Sequence, residues 1–201
     1  MSRDRLILET ERLILRCPSD RDIPAIIAMA GNLEVSRRLS GIPHPYSEAD
    51  ARFFLDEVVF DGWTWGITLK PSDTLIGIVG LTPEADSHIA ELGYYIDRRH
   101  WGRGIATEAA QRVIHHGLTT LNLRQIISDH FINNPASGRV LAKLGFTRIG
   151  KDKRPCLATG TIEPSANLLL RVQPPAPRHG TTKDNRGHVT QSPQQRRSHH
   201  A

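Results

Sequence analysis

The chain has 201 residues, 38% of them apolar, which is enough for the core of one ordinary domain, and it has no run of 18 or more apolar residues of the kind a membrane-spanning helix needs. Its net charge of +5 points less to nucleic acid than it first suggests, because residues 172–201 hold five basic residues against Asp184 alone, net +4, leaving the rest nearly neutral. Specific nucleic-acid binding and membrane association are therefore not expected.

That last segment, rich in Pro, Gln, His and Gly, has too little apolar surface to offset its ordering entropy. The reading is one folded domain over 1–172 and a basic, disordered tail over 173–201. The charged N-terminus does not resemble a signal peptide. Cys17 and Cys156 form no metal or disulfide pattern, so a cytoplasmic protein without a metal is expected.

In chain order, "LILETERLILRCP" carries Leu13 and Leu15 at strand spacing. Two amphipathic helices follow, each opened by an approximate capping box: Ser19 with Asp22 before Ile23 to Gly31, and Ser47 with Asp50 before Ala51 to Val58. Strands around Trp63 to Leu69, "TLIGIVGLTP" and "AELGYYID" then make an antiparallel meander, in which Trp63 and Trp65 read as core residues. A long helix over roughly 104–120 precedes "LRQIISDHFI", whose adjacent Ile126 and Ile127 suggest a strand buried on both faces. In "NNPASGRVLAKLGF", Asn134 is placed as N-cap, Pro135 at the first helical position and Gly145 just past the end. "FTRIGKD" and "ANLLLRV" complete a β, α, α, three-strand, α, β, α, β, β order, an α+β or mixed pattern and not a doubly wound parallel sheet. His115 and His116, in mid-helix, read as solvated or packed residues.

Gly102 and Gly104 sit where "GYYID" ends and "IATEAAQRVI" begins. The first N–H groups of a helix have no partner within it and carry partial positive charge, so an anion can lie there if no Cβ is in the way. Arg98, Arg99 and Arg103 add positive charge. The third glycine of a dinucleotide fingerprint is replaced by Thr107, and the GxxxxGK[ST] string of a P-loop is absent. On these letters alone, a phosphate site and a plain tight turn stay open.

The string Arg99-x-x-Gly102-x-Gly104, between "ELGYYID" and "IATEA", resembles the acetyl-CoA signature (Q/R-x-x-G-x-G/A) of the GNAT superfamily of N-acetyltransferases. "LETERLILR" and "NNPASGRVLAKLGF" resemble its RimJ/RimL branch, and the matches run in order from about residue 8 to 149. The resemblance implies a GNAT fold with a central mixed, largely antiparallel sheet flanked by helices. It implies acetyl-CoA as cosubstrate, its diphosphate on the backbone of Arg99 through Ala106, chiefly Gly102, Arg103, Gly104, Ile105 and Ala106. It further implies pantetheine beside the backbone of Tyr94, Tyr95 and Ile96, with Asn134 close by. Glu91 takes the place of a base found in several members. Ser137 takes that of a proposed acid in RimL-like enzymes, whereas the tyrosine many members use as acid is Leu141 here. Trp101 would flank the cofactor.

The implied acceptor is a primary amine, favoured as a protein N-terminal amine of the ribosomal-protein type, with small-molecule amines as the alternative. A third reading is a module that binds acyl-CoA without turnover. The resemblance is compatible with a homodimer. The acceptor is expected at loops around 34–47 and 152–165, which carry no decodable motif.

Overall fold

A computed structural model describes residues 6–59 and 63–171; the tail expected over 173–201 lies outside them. Eight strands form one sheet in the order β1-β2-β3-β4-β5-β6-β8-β7: Leu8–Glu9, Leu13–Arg16, Trp63–Leu69, Leu75–Pro83, Ile89–Ile96, Gln125–Phe131, Thr147–Cys156 and Thr161–Arg171 for β1 to β8. Every neighbouring pair is antiparallel except β5 with β6. The helices are α1 (Ile23–Ala30), the single turn α2 (Leu33–Ser36), α3 (Glu48–Phe53), α4 (Ile105–Thr119) and α5 (Pro135–Lys143).

Alternation along the strands sends side chains to two cores. On one face Leu13, Leu15, Ile67, Val79, Leu81 and Ile126 pack with Ala109, Ala110 and Val113 of α4 and Leu141 of α5. On the other, Leu75 and Ile78 pack with Ile26 and Met29 of α1, Ala51 of α3 and Leu55 just after it. Burial of this apolar surface is what holds helices this short, since α1 has only eight residues and α3 six. Trp65 is buried, and its edge-on contact with His116, centroids 5.7 Å apart, places that histidine in the packing.

The capping chemistry appears at both expected starts. Ser47 N–H donates to the Asp50 carboxylate (2.7 Å) while Asp50 N–H donates to Ser47 Oγ (3.3 Å), closing a capping box. Asp22 accepts from Ser19 N–H (2.8 Å) and also takes a bidentate pair from Arg16 at 2.8 Å each, so this buried arginine is neutralised where β2 leads into α1. Arg16 holds the Asp22 carboxyl below the usual carboxylate range even though burial alone would raise it.

Three expectations are corrected. The second helix does not run regularly to Val58: after Phe53 it continues as a π-turn, Phe54–Val58. Ile126 is fully buried but Ile127 only half-buried, because one face of β6 meets α4 and the other borders an open cleft. Residues 152–165 are not a loop; β7 and β8 extend into a long hairpin whose registered pairs reach Cys156↔Thr161.

Candidate active site

The strands β5 and β6 are paired only at Ile89↔Gln125, Ala90↔Ile126 and Glu91↔Ile127, and then part. Parallel strands joined through a helix normally continue side by side, so an early parting leaves backbone groups on β5 without a strand partner. Ser128 marks the split: its hydroxyl donates to the Leu92 carbonyl at 2.9 Å, in place of a further ladder bond. Asp97 N–H bonds the Ile76 carbonyl at 2.8 Å, so the odd residues of β5 turn their backbone groups to β4, and Leu92, Tyr94 and Ile96 turn theirs to the split.

This register changes the expected backbone contacts. Tyr95 N–H and C=O face β4, while its side chain packs with Tyr46 in the second core, where burial pushes its hydroxyl pKa up. The Ile96 carbonyl accepts the Trp101 indole N–H (2.7 Å), which leaves its N–H for the split. Tyr94 thus turns both its N–H and its C=O to the split.

A cleft of about 540 Å³ follows the split from Glu91 to the turn before α4, within the range of ordinary small-molecule sites. At the turn, Gly102 (φ +75°) and Gly104 (φ +77°) are left-handed, a conformation costing other residues about 1–2 kcal/mol. A Cβ on Gly102 would meet nothing within 4 Å, so the space above the turn is open. Gly104 caps α4 without a side chain, and the first intrahelical bond runs from Glu108 N–H to its carbonyl, leaving the N–H groups of Ile105, Ala106 and Thr107 at a helix N-terminus that borders the cleft. The turn and α4 start together make a backbone cradle of the kind that can receive an anion.

Arg99 points its side chain away from it. Its guanidinium pairs with Asp97 (2.6 Å), its side chain is 79% exposed, and it lies outside the cleft lining, whereas Arg103 borders the cleft. Trp101 borders it too, with the Arg38 guanidinium stacked 5.1 Å over its ring.

The "TER" of the N-terminal hairpin clamps this cradle, a role not visible in the sequence. Glu108, in the first turn of α4, accepts from Thr10 Oγ1 (2.6 Å), Arg12 N–H (3.1 Å) and Arg12 Nε (2.7 Å). Arg12 also donates to the Arg103 carbonyl at 3.1 Å. One arginine thus ties the connection between β1 and β2 to the glycine turn and to the first turn of α4.

On α5, Asn134 caps the helix by accepting from Ser137 N–H (3.3 Å) and also lines the cleft, so it can serve both ends. Ser137 faces β5: its Oγ lies 2.8 Å from the Tyr94 hydroxyl. Burial pushes the Tyr94 pKa up to about 12, so this hydroxyl stays protonated. Leu141 is fully buried in the core and has no access to the cleft chemistry.

At the other end, Glu91 sits beside Asp129 of β6 and Arg154 of β7. Arg154 lies 3.7 Å from a Glu91 oxygen and 3.3 Å from an Asp129 oxygen, and Ser165 Oγ donates to Asp129 at 2.7 Å. Burial raises the Glu91 pKa, the Asp129 carboxyl beside it adds to the rise, and Arg154 opposes it. Asp129 and Arg154 were missed in the sequence; the only signal was a polar "SD" inside an otherwise apolar strand. The two expected acceptor regions do meet: at the hairpin tip, Leu157 N–H donates to the Ser40 carbonyl (3.2 Å).

A split sheet, a helix start open to an anion and a carboxyl thus border one cleft. Residues 12–147 match the acetyltransferase (GNAT) domain family, and the chain belongs to that family; it is an N-acetyltransferase. It is 36% identical over 163 residues to the uncharacterized N-acetyltransferase YoaA of Bacillus subtilis, covering 77% of this chain and 90% of that protein. It is 36% identical over 101 residues to the ribosomal-protein-serine acetyltransferase of Escherichia coli, 50% of this chain and 56% of that one. The fold matches spermidine N-acetyltransferase from Vibrio cholerae, solved with CoA and spermine, at TM-score 0.68 and 21% identity, over 81% of this chain and 96% of that one.

Proposed function

We propose that the enzyme moves the acetyl group of acetyl-CoA to the N-terminal amine of a protein. The observation that supports the donor side is the parting of β5 and β6 beside a helix N-terminus, which puts two sets of backbone N–H groups along one cleft, those of Tyr94 and Ile96 on β5 and those at the start of α4. The residues present fit the cosubstrate: the open space over Gly102 and the first N–H groups of α4 suit a diphosphate, and Tyr94 and the Ile96 N–H suit an amide-bearing arm added as an extra strand. Bound there, acetyl-CoA supplies a thioester carbonyl open to attack by an amine.

The chain's own residues do the rest. Glu91, its pKa raised by burial, receives the proton of the incoming ammonium. An α-amine, with pKa near 8, is about a tenth neutral at pH 7, so a base of this strength suffices. Ser137, oriented by Tyr94, is in place to return a proton to the departing sulfur. Support for a protein acceptor comes from the ribosomal-protein-serine relative; the spermidine enzyme of the same fold represents the alternative.

The test is free-thiol release from acetyl-CoA with peptides bearing free N-termini and with polyamines and other small amines. We expect the preferred peptide to exceed every small amine at least tenfold in kcat/KM. A polyamine that outpaces all peptides would reject the protein acceptor while leaving the donor site intact.

A further inference from the structure

The site contains a second carboxyl whose placement is too specific for a bystander. Asp129 lies two residues beyond Ile127, the last partner of β5, on the same side of the sheet as Glu91 because side chains alternate along a strand. It is nearly buried, with 15% of its side chain exposed, and lines the cleft. Three neighbouring strands fix it: Arg154 from β7 at 3.3 Å, Ser165 from β8 at 2.7 Å, and Glu91 of β5 beside it. Arg154 reaches both carboxyls, so two negative groups share one positive charge. The remaining charged group acting on Glu91 is Glu84, after β4, which also disfavours its ionised form.

We propose that Asp129 is a positioning residue that forms one proton-accepting pair with Glu91, held by Arg154. This inference rests on Glu91 being the base. Asp129 raises the proton affinity of Glu91 and Arg154 opposes it, so the two neighbours together set how readily Glu91 takes a proton. In the transfer, an N–H bond of the acceptor ammonium breaks and its proton goes to the ionised carboxyl of the pair. The freed nitrogen lone pair forms the C–N bond and the C–S bond breaks with its electrons on sulfur; the second proton the nitrogen sheds on becoming an amide passes through Ser137 or water to that sulfur. The net negative pair also draws the ammonium in.

The experiment is the pH profile of kcat/KM for Glu91→Gln, Asp129→Asn and Arg154→Met, with acetyl-CoA affinity measured alongside. Because Asp129 raises and Arg154 lowers the Glu91 pKa, Asp129→Asn should move the acidic limb down by about one pH unit and Arg154→Met should move it up by a similar amount. Glu91→Gln should remove the limb. Acetyl-CoA affinity should stay unchanged in Asp129→Asn and Arg154→Met, and circular dichroism should show native folding.

If Glu91→Gln removes the limb but Asp129→Asn leaves it in place, the pairing is overturned and Glu91 stands as base alone. If Glu91→Gln keeps the limb, the base assignment itself fails, and the pair with it. A drop in rate for Asp129→Asn without a limb shift marks a purely structural carboxyl and also overturns the proposal.

Discussion

The two ends of the cleft are built from different materials. At the glycine turn, Gly102 to Thr107 present backbone groups, contiguous in sequence and oriented by one helix start. At the opposite end, Glu91, Asp129, Arg154 and Ser165 come from β5, β6, β7 and β8, brought together only by strand order. A backbone site tolerates varied side chains but no added bulk, whereas a side-chain site tolerates bulk nearby but no change of functional group.

The sharpest way to break this comparison is Gly104→Trp. It places an indole at the left-handed cap of α4, and acetyl-CoA affinity should fall about a hundredfold or more, read by calorimetry with circular dichroism as a folding control. Unaltered affinity would move the diphosphate away from this turn. Next, Leu141→Ala should cost about 2–5 kcal/mol in urea unfolding, since the side chain is fully buried. That result would separate a core residue from the catalytic tyrosine that stands at this place in many relatives.

A smaller effect is expected from Ser137→Ala: kcat should drop while acetyl-CoA affinity holds, because only the hydroxyl that meets Tyr94 is removed. An unchanged kcat would assign protonation of sulfur to water. Arg12→Ala loosens the clamp on Glu108 and the Arg103 carbonyl, yet the arginine side chain is 48% exposed. The rise in KM for acetyl-CoA should therefore be only a few-fold. Ending the chain at Arg171 should leave folding and acetyl-CoA affinity as they are, measured by thermal unfolding and calorimetry; a loss of either would bring the basic tail into the domain.

Local signals in the sequence were reliable wherever the physics was local. Ser47 with Asp50 and Asn134 with Ser137 cap helices where their spacing said they would, and the glycines lie at a helix start. The long β7–β8 hairpin escaped notice because "KDKRPCLATGTIEPS" carries little apolar alternation; β7 is mostly exposed, so no buried face wrote a pattern into it. Ile127 misled for a related reason, since adjacent isoleucines look alike whether the far face meets a helix or a cleft.

The sequence by itself determined the order of elements from Trp63 onward, the starts of the longer helices and the glycine turn before α4, while the split of the first strand into β1 and β2 and the single turn α2 were not legible in it; the former depend on residues within a few positions of one another and on backbone conformation that glycine and capping side chains control directly. Tertiary structure alone decided that β5 and β6 part after Glu91, that Arg12 clasps Glu108, and that Asp129 and Arg154 stand beside the candidate base. These contacts join residues from 25 positions apart, as with Arg154 and Asp129, to 96 apart, as with Arg12 and Glu108. Their energy comes from charge and burial in three dimensions, which no short window of sequence contains.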